Sequence, residues 1–459
     1  MNLSQGFLIK EEKTVEKIEK KVLRRKVNPL YLLVFGLLFL ILVGSLFLYF
    51  PFTHQANVNI SYVDALFTAA SASTVTGLVT VDTGTTYNFW GQLVILILIN
   101  FGGLGYMSVI TFFLLSNNVL GIKYAVFMKE SLNLPSMGDI FKVAKKVFLT
   151  ILFFELIGIA LLTLAFWDKG PLSLWYGIFH AMSAFNNAGF DLMGNFRSLT
   201  GYYSNSLVNF TIMGLIFFGG IGFIVISDLL QVIRKKKRSL GLHSKIVLTT
   251  SLILILIGAI GFYAFEANNS MRGYGFGDKG LISLFQSVSS RTAGYNTIDL
   301  SGISIPSVLI LCMLMFIGAS PGSTGSGIKT TTFAVLVLWL ICTLKNRENP
   351  EAFKRRISHE TLNRAFVLFF SSIATVFIII FMVSIFDNFE FHKIMFECFS
   401  AFGTVGLTMG ITPYLSAASK VCIMLLMFIG RLTPLALIAI LAKRRMEKIN
   451  FLEEPVSVG

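Results

Sequence analysis

One short element occurs four times in this chain of 459 residues. Each copy is a polar stretch that interrupts an apolar sequence and ends in a single glycine, followed by a bulky apolar or aromatic residue. The glycines are Gly77, Gly189, Gly294 and Gly406, which lie 112, 105 and 112 residues apart. Self-similarity at a nearly fixed period indicates a chain built from repeated structural units. We therefore expect four copies of one element around a common axis.

The similarity extends to both sides of each glycine. Ten residues before it stands Phe67, Phe179 or Phe396 in three copies, whereas the third copy has Leu284 followed by Phe285. Six residues before the glycine the same three copies have serine and the third has valine (Ser71, Ser183, Ser400 and Val288). The apolar stretches ahead of the glycines are too short to cross a bilayer. They predict re-entrant half-helices over Asp64–Ser73, Leu174–Phe185, Leu281–Ser290 and Ile394–Phe402.

The composition is that of a membrane protein. Hydrophobic residues make up 54% of the chain and charged residues 14%, with a mean hydropathy of +0.75. Stretches of about 20 apolar residues are long enough to cross a bilayer as helices. Eight such spans are predicted: Val27–Phe50, Phe89–Leu115, Val147–Trp167, Leu207–Val232, Ile246–Phe265, Ser307–Leu344, Ala365–Phe386 and Val421–Ala442.

The positive charges predict a topology and not a nucleic-acid site. The formal net charge is +14, but 29 of the 38 Lys and Arg residues fall in the segments 1–28, 117–146, 231–245, 343–365 and 441–459. Basic residues gather on the cytoplasmic side of membrane proteins. Both termini are then cytoplasmic, the four glycine elements enter from outside, and membrane lipid is the expected partner of the excess charge.

These patterns predict an all-α polytopic membrane protein with four pseudo-symmetric repeats around one pore. Each repeat reads as span, half-helix, glycine element and span, giving eight transmembrane helices and four half-helices. The predicted divisions are a cytoplasmic charged N-terminal segment (1–26), repeat 1 (27–116), repeat 2 (117–232), repeat 3 with a broken second span (233–344), repeat 4 (345–446) and a cytoplasmic tail (447–459).

The glycine elements are suited to holding a bare monovalent cation. Glycine lets successive backbone carbonyls point the same way, and the half-helix ahead of it ends with partial negative charge. Rings of such carbonyls can replace the hydration shell of an ion such as K⁺. The predicted ion-binding residues are Val75, Thr76, Gly77, Asn187, Ala188, Gly189, Thr292, Ala293, Gly294, Thr404, Val405 and Gly406. Arg291 is left out, because its guanidinium would repel the ion if it faced the pore.

The sixth span contains a glycine-rich stretch that cannot continue an ordinary helix. It includes Gly318, Pro321, Gly322, Gly325 and Gly327, followed by Lys329. Proline and glycine break helices, so an intramembrane loop against protein or water is expected. A mere kink is an alternative. A phosphate-binding loop is a weaker one, because Ile328 separates the last glycine from the lysine and no strand precedes the stretch.

Other polar residues give no sign of catalysis or of a resident metal or cofactor. The four cysteines are scattered in apolar segments, and we expect reduced, packed thiols. The half-helix histidines His180 and His392 are expected to be solvated or capping. Glu155, Asp228 and Glu397 are deep charges without the spacing of a catalytic pair, and they are expected to pair with hydroxyls or basic residues. No nucleophile–base set is present, so the chain is not expected to be an enzyme.

In combination, these motifs resemble the Trk/Ktr/HKT superfamily of K⁺ transporters over residues 27–446. The chain is most similar to the membrane subunit of bacterial Ktr systems. The resemblance implies that the four glycines form a K⁺ selectivity filter and that the glycine-rich loop, with Lys329, is a gate below it. It also implies a homodimer, a cytosolic ring of nucleotide-binding (RCK-type) regulatory subunits, and no cofactor beyond the transported K⁺ and a Na⁺ on which transport can depend.

A Phe-x-Gly motif follows each glycine element downstream: Phe101-Gly102-Gly103, Phe218-Gly219-Gly220, Phe316-Ile317-Gly318 and Phe428-Ile429-Gly430. Arg431 comes directly after the fourth motif, where the other copies have Leu104, Ile221 and Ala319. A charge inside a span is costly and points to function. We expect Arg431 to help close the gate or to set a barrier below the filter; pairing with a helix end to hold a dimer or the loop is the alternative. Other functions considered are a Trk-type H⁺-linked or less selective K⁺/Na⁺ transporter, and a coupled carrier of an organic solute.

Overall fold

The computed structural model describes residues 29–56, 58–115, 137–235 and 237–432. This part of the chain is almost entirely helical. Its strands are Glu351–Ala352 and Arg355–Arg356, a small antiparallel hairpin near the start of the segment predicted as the fourth repeat. The predicted N-terminal segment 1–26, the tail 447–459, the basic loop 117–136 and the end of the last span lie outside the described residues.

Two or three of the described long helices fall in each segment that was predicted as a repeat. The first repeat contains Pro29–Tyr49 and Phe89–Leu115, and the second contains Met137–Ala165, Ser206–Gly220 and Phe223–Ile233. The third contains Leu242–Glu266, Ile305–Phe316 and Thr330–Leu344, and the fourth contains His359–Phe386 and Ala417–Leu432. Short helical turns at Pro51–Thr53, Thr83–Thr86, Trp167–Leu172, Thr200–Tyr202 and Thr412–Tyr414 lie in the connections.

A half-helix lies between the long helices of every repeat. The four half-helices are Tyr62–Thr74, Ser173–Phe185, Phe276–Ser289 and Phe391–Gly403. Each starts earlier than predicted, but each ends within one residue of the predicted end. The first one starts where the Ser61 hydroxyl accepts a hydrogen bond from the Asp64 amide, which satisfies a free donor of the first turn.

Three described helices are long and apolar enough to cross a membrane: Val147–Ala165, Leu242–Glu266 and His359–Phe386. In each, no more than 33% of the most apolar window is buried inside the protein. Their outer faces carry large apolar side chains, as Phe153 and Phe381 show. Such large exposed apolar faces are unfavourable in water, so we expect them to contact lipid.

The fourth predicted span is not one straight helix. Ser206–Gly220 and Phe223–Ile233 pass the membrane-span test together, but they meet at an angle of 101°. The break is at Gly222, whose φ of +91° is a conformation that favours glycine. The Phe223 amide donates to the Gly322 carbonyl at 2.9 Å, so the bend is fixed by the glycine-rich stretch of the third repeat. The predicted span Leu207–Val232 covers both helices, and the bend between them was not predicted because the contact that fixes it is tertiary.

Candidate functional site

The four element glycines meet in a closed ring. A Cβ added to Gly77 would lie 3.1 Å from the Cα of Gly189, and one on Gly189 would lie 3.2 Å from that of Gly294. A Cβ added to Gly294 would lie 3.0 Å from the Cα of Gly406, and one added to Gly406 would lie 3.0 Å from the Cα of Gly77. Each added carbon would also collide with the carbonyl oxygen just before the next glycine. The four segments therefore surround one axis in chain order, too closely for any side chain at the glycines.

The backbone of each element alternates in handedness. The glycines have φ values of +88°, +70°, +79° and +94° in chain order. Two residues earlier, Val75, Asn187 and Thr404 also have positive φ, at 60°, 59° and 48°. β-Branched residues rarely adopt this conformation, and such strain persists where the surroundings impose it. Alternation of this kind turns successive carbonyls towards the same side of the chain.

The carbonyl oxygens of the ring accept no hydrogen bond from the part of the protein that the structure describes. In the described chain, no hydrogen bond reaches the carbonyls of the glycine or of the two residues before it in any of the four copies. The amides instead point back to the half-helices: Thr76 donates to the Ser71 carbonyl, Ala188 to Ser183 and Val405 to Ser400, each at 2.8 Å. Buried carbonyls are almost always paired, so twelve of them without a protein donor in the described chain mark the ring as the candidate site.

A serine hydroxyl of each half-helix hydrogen-bonds the glycine element that follows it, in one of two ways. In the first and fourth repeats, Ser71 and Ser400 accept hydrogen bonds from the amides of Gly77 and Gly406, at 3.0 and 3.1 Å. In the second and third, Ser183 donates to the Phe190 carbonyl and Ser289 donates to the Tyr295 carbonyl, which are the carbonyls after the glycines. These are the serines that the repeat pattern marks, except that Ser289 takes the place assigned to Val288.

The third repeat has one residue fewer between its buried half-helix phenylalanine and its glycine. Its buried phenylalanine, Phe285, and its serine, Ser289, both stand one residue nearer to Gly294 than their counterparts do. The Ala293 amide accordingly bonds the Ser289 carbonyl four residues back, where the other copies bond five residues back. Thr292 absorbs the difference with a φ of 117°. Leu284 and Val288 are therefore not the structural equivalents that simple counting from the glycine suggested.

Arg291 turns its side chain away from the ring. Its guanidinium donates to the carbonyl and hydroxyl of Ser251 at 3.4 and 3.3 Å, and it lies 3.5 Å from the Gly318 carbonyl. A cavity of about 20 Å³ lies beside it, lined also by Ile221 and Ala319. Its position agrees with leaving Arg291 out of the ion-binding set.

At the end of the ring that the residues two before the glycines form, three buried side-chain oxygens have no hydrogen-bond partner in the described chain. They are Asn187 Oδ1, Thr292 Oγ1 and Thr404 Oγ1. All three belong to the residue two before the glycine, where the first repeat has Val75. Three of the four copies thus add a side-chain oxygen at the same level of the ring.

The glycine-rich stretch of the third repeat is a loop that lies against this end. It occupies residues 317–329, between the helices Ile305–Phe316 and Thr330–Leu344, and is far longer than a kink. The Thr324 hydroxyl donates to the Phe185 carbonyl at 3.2 Å and accepts from Asn187 at 3.1 Å. A Cβ on Gly325 would lie 2.6 Å from the Thr292 hydroxyl. The loop therefore contacts the ends of at least two elements of the ring.

Hydrogen bonds to neighbouring helices fix the shape of this loop. The amides of Ser320 and Thr324 donate to the carbonyls of Gly220 and Gly219, at 3.0 and 3.2 Å. Lys329 Nζ donates to the Gly325 carbonyl at 2.8 Å, within the loop itself. The other predicted loop residues stand at turns and close approaches: Gly322 and Gly327 have φ of +69° and +71°, Pro321 faces Gly222, and Gly318 packs on Ser326. Thr324, which the sequence analysis did not single out, is the residue that ties the loop to the ring.

Arg431 joins the loop to the first repeat. One guanidinium nitrogen donates to the Thr324 carbonyl and, at 3.1 Å, to the Ser326 hydroxyl. The other donates to the carbonyls of Gly102 and Gly103. A planar guanidinium with several donors can bond two backbone segments at once. Arg431 thus lies near the broken span, as predicted. Its guanidinium bonds carbonyls of the loop and of a neighbouring helix.

Among the other deep polar residues, Asp228 and Glu397 have partners of the expected kinds, basic and hydroxyl, whereas Glu155 bonds an amide. Glu155 accepts from the Asn186 amide at 3.4 Å, Asp228 pairs with Lys237 at 2.5 Å, and the Glu397 carboxylate accepts from Thr408 and Thr412 hydroxyls. His392 lies 3.4 Å from Glu390 in the first turn of its half-helix. His180 is fully buried, so the expectation of a solvated or capping role was wrong.

Two carboxylates lie on the chain just beyond the ring. Asp82 accepts from the Phe196 amide at 2.7 Å, which joins the outgoing segments of the first two repeats. Burial raises the pKa of Asp191 to about 7 and the nearby Asp82 adds to the rise, against the Met193 amide hydrogen bond that lowers it. In the described residues no group of three or more His, Cys, Asp or Glu residues could hold a resident metal, and the cysteines are buried and free.

Known proteins with similar sequences are membrane transport proteins. The Ktr system potassium uptake protein B of Bacillus subtilis is 37% identical over 94% of this chain and 97% of its own length. The potassium/sodium uptake protein NtpJ of Enterococcus hirae is 37% identical over 96% of this chain and its whole length. The crystal structure of the potassium transporter TrkH from Vibrio parahaemolyticus covers 91% of this chain and 86% of its own, with a TM-score of 0.69 at 19% identity, and so shares the fold.

A family model extends this similarity over nearly the whole chain. The TrkH model, described as a cation transport protein, matches residues 19–451, a range that includes all four glycine elements, the loop and Arg431. The helical fold, the four-membered carbonyl ring and these sequence matches lead to one conclusion: the chain belongs to the TrkH family of cation transport proteins and is a membrane transporter, not an enzyme.

Proposed function

We propose that this protein takes up potassium ions across the cell membrane through the four-glycine ring, which acts as a single-glycine selectivity filter. The observation that supports this most is the closed ring itself, in which twelve buried carbonyls have no hydrogen bond in the described chain. Such a ring replaces the hydration shell of a weakly hydrated cation at low cost. The relatives named above as potassium uptake proteins support K⁺ as the ion.

Gly77→Ser and Gly294→Ser test the filter in proteoliposomes loaded for K⁺, Rb⁺ and Na⁺ flux. A serine at Gly77 would drive its Cβ into the Ala188 carbonyl and would need a φ of +88°. We expect K⁺ and Rb⁺ flux in the wild type and a K⁺/Na⁺ ratio that falls about tenfold or more in each variant, since displaced carbonyls no longer match the ion.

Gly201→Ser is the matched control, because nothing lies within 4 Å of a Cβ at that glycine. It should keep the wild-type flux and ratio. Absence of K⁺ flux in well-assembled wild-type protein, or an unchanged ratio in both filter variants, would rule out the filter assignment. Adding Na⁺ to the same vesicles measures whether K⁺ uptake depends on it.

The loop 317–329 is proposed to be the gate, with Arg431 holding it closed. Support comes from its contacts with Asn187 and Thr292 at one end of the ring and from the bonds of Arg431 to Thr324. A cation that leaves the ring on this side meets the loop and the guanidinium before it meets solvent.

A less selective K⁺/Na⁺ transporter is the second candidate. NtpJ of Enterococcus hirae, named a potassium/sodium uptake protein, is as similar to this chain as the Ktr subunit of Bacillus subtilis is. The flux ratio of the wild type decides between the two, because a strongly K⁺-selective ring gives little Na⁺ flux in the absence of K⁺.

The arrangement around the pore is also a proposal. Eight spans, cytoplasmic termini, a homodimer and a cytosolic ring of nucleotide-binding regulatory subunits follow from the charge pattern and from the resemblance to Ktr membrane subunits. The Ktr names of the relatives support a multi-component system. Labelling of single cysteines placed in the 231–245 and 267–306 segments, from either side of sealed vesicles, tests the orientation.

A further inference from the structure

The residue that follows the buried half-helix phenylalanine is polar in all four repeats. The phenylalanines are Phe67, Phe179, Phe285 and Phe396, and the residues after them are Thr68, His180, Gln286 and Glu397. These four polar residues are 0%, 0%, 0% and 1% exposed. Burying a polar side chain costs free energy unless it is hydrogen-bonded, so the same position in four repeats calls for a partner that lies nearby.

In the fourth repeat that partner is the chain leaving the filter. Glu397 Oε1 accepts from the Thr408 hydroxyl at 2.5 Å and from the Met409 amide at 3.2 Å. Its Oε2 accepts from the Thr412 hydroxyl at 2.8 Å. Three donors on one buried carboxylate hold the outgoing chain at a fixed distance from the half-helix, beginning two residues after Gly406.

In the second repeat His180 reaches the same place. Its Nδ1 lies 2.8 Å from the Tyr176 carbonyl, which can only accept, so Nδ1 carries the proton and Nε2 is left as an acceptor. The Leu192 amide donates to Nε2 at 3.4 Å, and the Tyr176 hydroxyl donates to the Leu192 carbonyl at 3.0 Å. Leu192 and Met409 each stand three residues after their glycine. Two unlike side chains thus hold one equivalent backbone position.

We propose that His180 and Glu397 are positioning residues of the filter, which set its ion selectivity by fixing the outgoing backbone of the second and fourth elements. Because the ring closes in chain order, these two elements face each other across the axis. The distance between their carbonyls is one diameter of the ring. Ion selectivity depends on this distance, whether it comes from the size of the cavity or from the electric field of the carbonyls. Hydrogen bonds from the surrounding side chains keep the distance fixed. The proposal rests on the filter function proposed above.

The remaining two repeats differ at this position. Thr68 donates to the Asp64 carbonyl of its own half-helix at 2.9 Å. Both amide atoms of Gln286 have no partner in the described chain, and neither does the hydroxyl of Thr297, the third residue after Gly294. Among the four residues at this position, the two that hydrogen-bond the outgoing backbone thus stand on one diagonal of the ring in the described structure, and Thr68 is a matched control with the same position and burial.

Ion flux in proteoliposomes measures the effect of each support. Glu397→Leu should lower the K⁺/Na⁺ flux ratio about fivefold, a factor that corresponds to the loss of about one net hydrogen bond. Glu397→Gln should stay within about twofold of the wild type, because its carbonyl oxygen can accept from Thr408 and Met409 while its amide donates to the Thr412 hydroxyl. Tyr176→Phe should lower the ratio in the same direction, and Thr68→Val should leave it unchanged.

The Gly77→Ser variant, measured alongside, separates this proposal from the filter itself. A ratio that falls in Gly77→Ser but not in Glu397→Leu or Tyr176→Phe would keep the filter and overturn the supports. An unchanged ratio in Gly77→Ser would overturn the filter first. If Glu397→Leu does not assemble, Thr412→Val, which removes one donor from Glu397, and Tyr176→Phe decide the outcome. If the K⁺/Na⁺ flux ratio fell in Thr68→Val as much as in Glu397→Leu and Tyr176→Phe, His180 and Glu397 would act only as packed core residues and the proposal would be overturned.

Discussion

At the scale of single residues, the site depends on a few positions where one side chain or none is permitted. The four glycines exclude any Cβ, and Arg431 fills a place where a smaller or shorter side chain cannot bond two segments at once. The charge of Arg431 also lies where the other three repeats have apolar residues. Its contribution to transport is therefore open to direct measurement.

Arg431→Gln is expected to raise K⁺ flux about fivefold in proteoliposomes. The variant loses charge-assisted hydrogen bonds that hold the loop at Thr324 and Ser326, so a larger share of molecules has the loop displaced. Arg431→Lys keeps the charge but not the fork of donors. A rise in both variants indicates that the bonds close the gate, and a rise in Gln alone indicates a charge barrier. Unchanged flux in a folded Arg431→Gln protein would contradict both roles.

At the scale of elements, two broken helices depend on each other. The bend at Gly222 and the loop 317–329 share the hydrogen bond from Phe223 to Gly322, and a Cβ on Gly222 would lie 2.5 Å from the Pro321 carbonyl. The straight half of the same span contains Gly214, around which nothing lies within 4 Å of an added Cβ. The two glycines allow one substitution to be compared in two environments.

Gly222→Ala is expected to lower the free energy of unfolding by about 2 kcal/mol, from a strained positive φ and the clash with Pro321. Gly214→Ala should be neutral or stabilising by up to about 1 kcal/mol, because alanine favours a helix interior. Thermal unfolding of both purified variants in detergent measures the difference. Equal midpoints for the two variants would mean that Gly222 is not under the constraint that its φ of +91° indicates.

At the scale of the whole molecule, the four repeats form a closed ring only if the last one joins the first. Lys420, in the final described helix, lies 2.8 Å from Asp64, at the start of the first half-helix. The side chains are 12% and 17% exposed, so water screens the pair only in part. Asp64 also accepts from the Ser61 hydroxyl at 2.6 Å. The pair joins residues that are far apart in sequence and closes the circle of repeats.

Lys420→Met is expected to destabilise the protein by about 1 to 2 kcal/mol, less than for a fully buried pair because the charges keep some water. Asp64→Asn and the double variant complete a cycle that isolates the pair. Thermal unfolding of the four proteins gives the coupling free energy. Additive losses in the double variant would show that the two residues act separately and that the ring closes by packing alone.

Much of the four-repeat arrangement could be predicted from the sequence, because it depends on residue types that are close together in the chain. A single glycine in a polar element, a short apolar stretch before it and a serine at constant spacing are local features, and they predicted the half-helix ends to within one residue. The placement of Arg431 near the loop followed from its position in the fourth repeat, whereas Arg291 was left out of the ion-binding set because a guanidinium that faced the pore would repel a cation. Glycine and proline in the sixth span predicted a loop there, because neither residue continues a helix.

Other features were decided only by the folded chain. The bend at Gly222, the contact of Thr324 with the glycine ring and the burial of His180 all depend on residues about twelve or more positions away. The role of Ser289 in place of Val288 depends on a one-residue shift that counting from the glycine hides. The sequence by itself determined four similar hairpins, since backbone conformation and apolar length are local. Only the tertiary structure decided how the four hairpins differ, because each of them packs against different neighbouring segments of the chain.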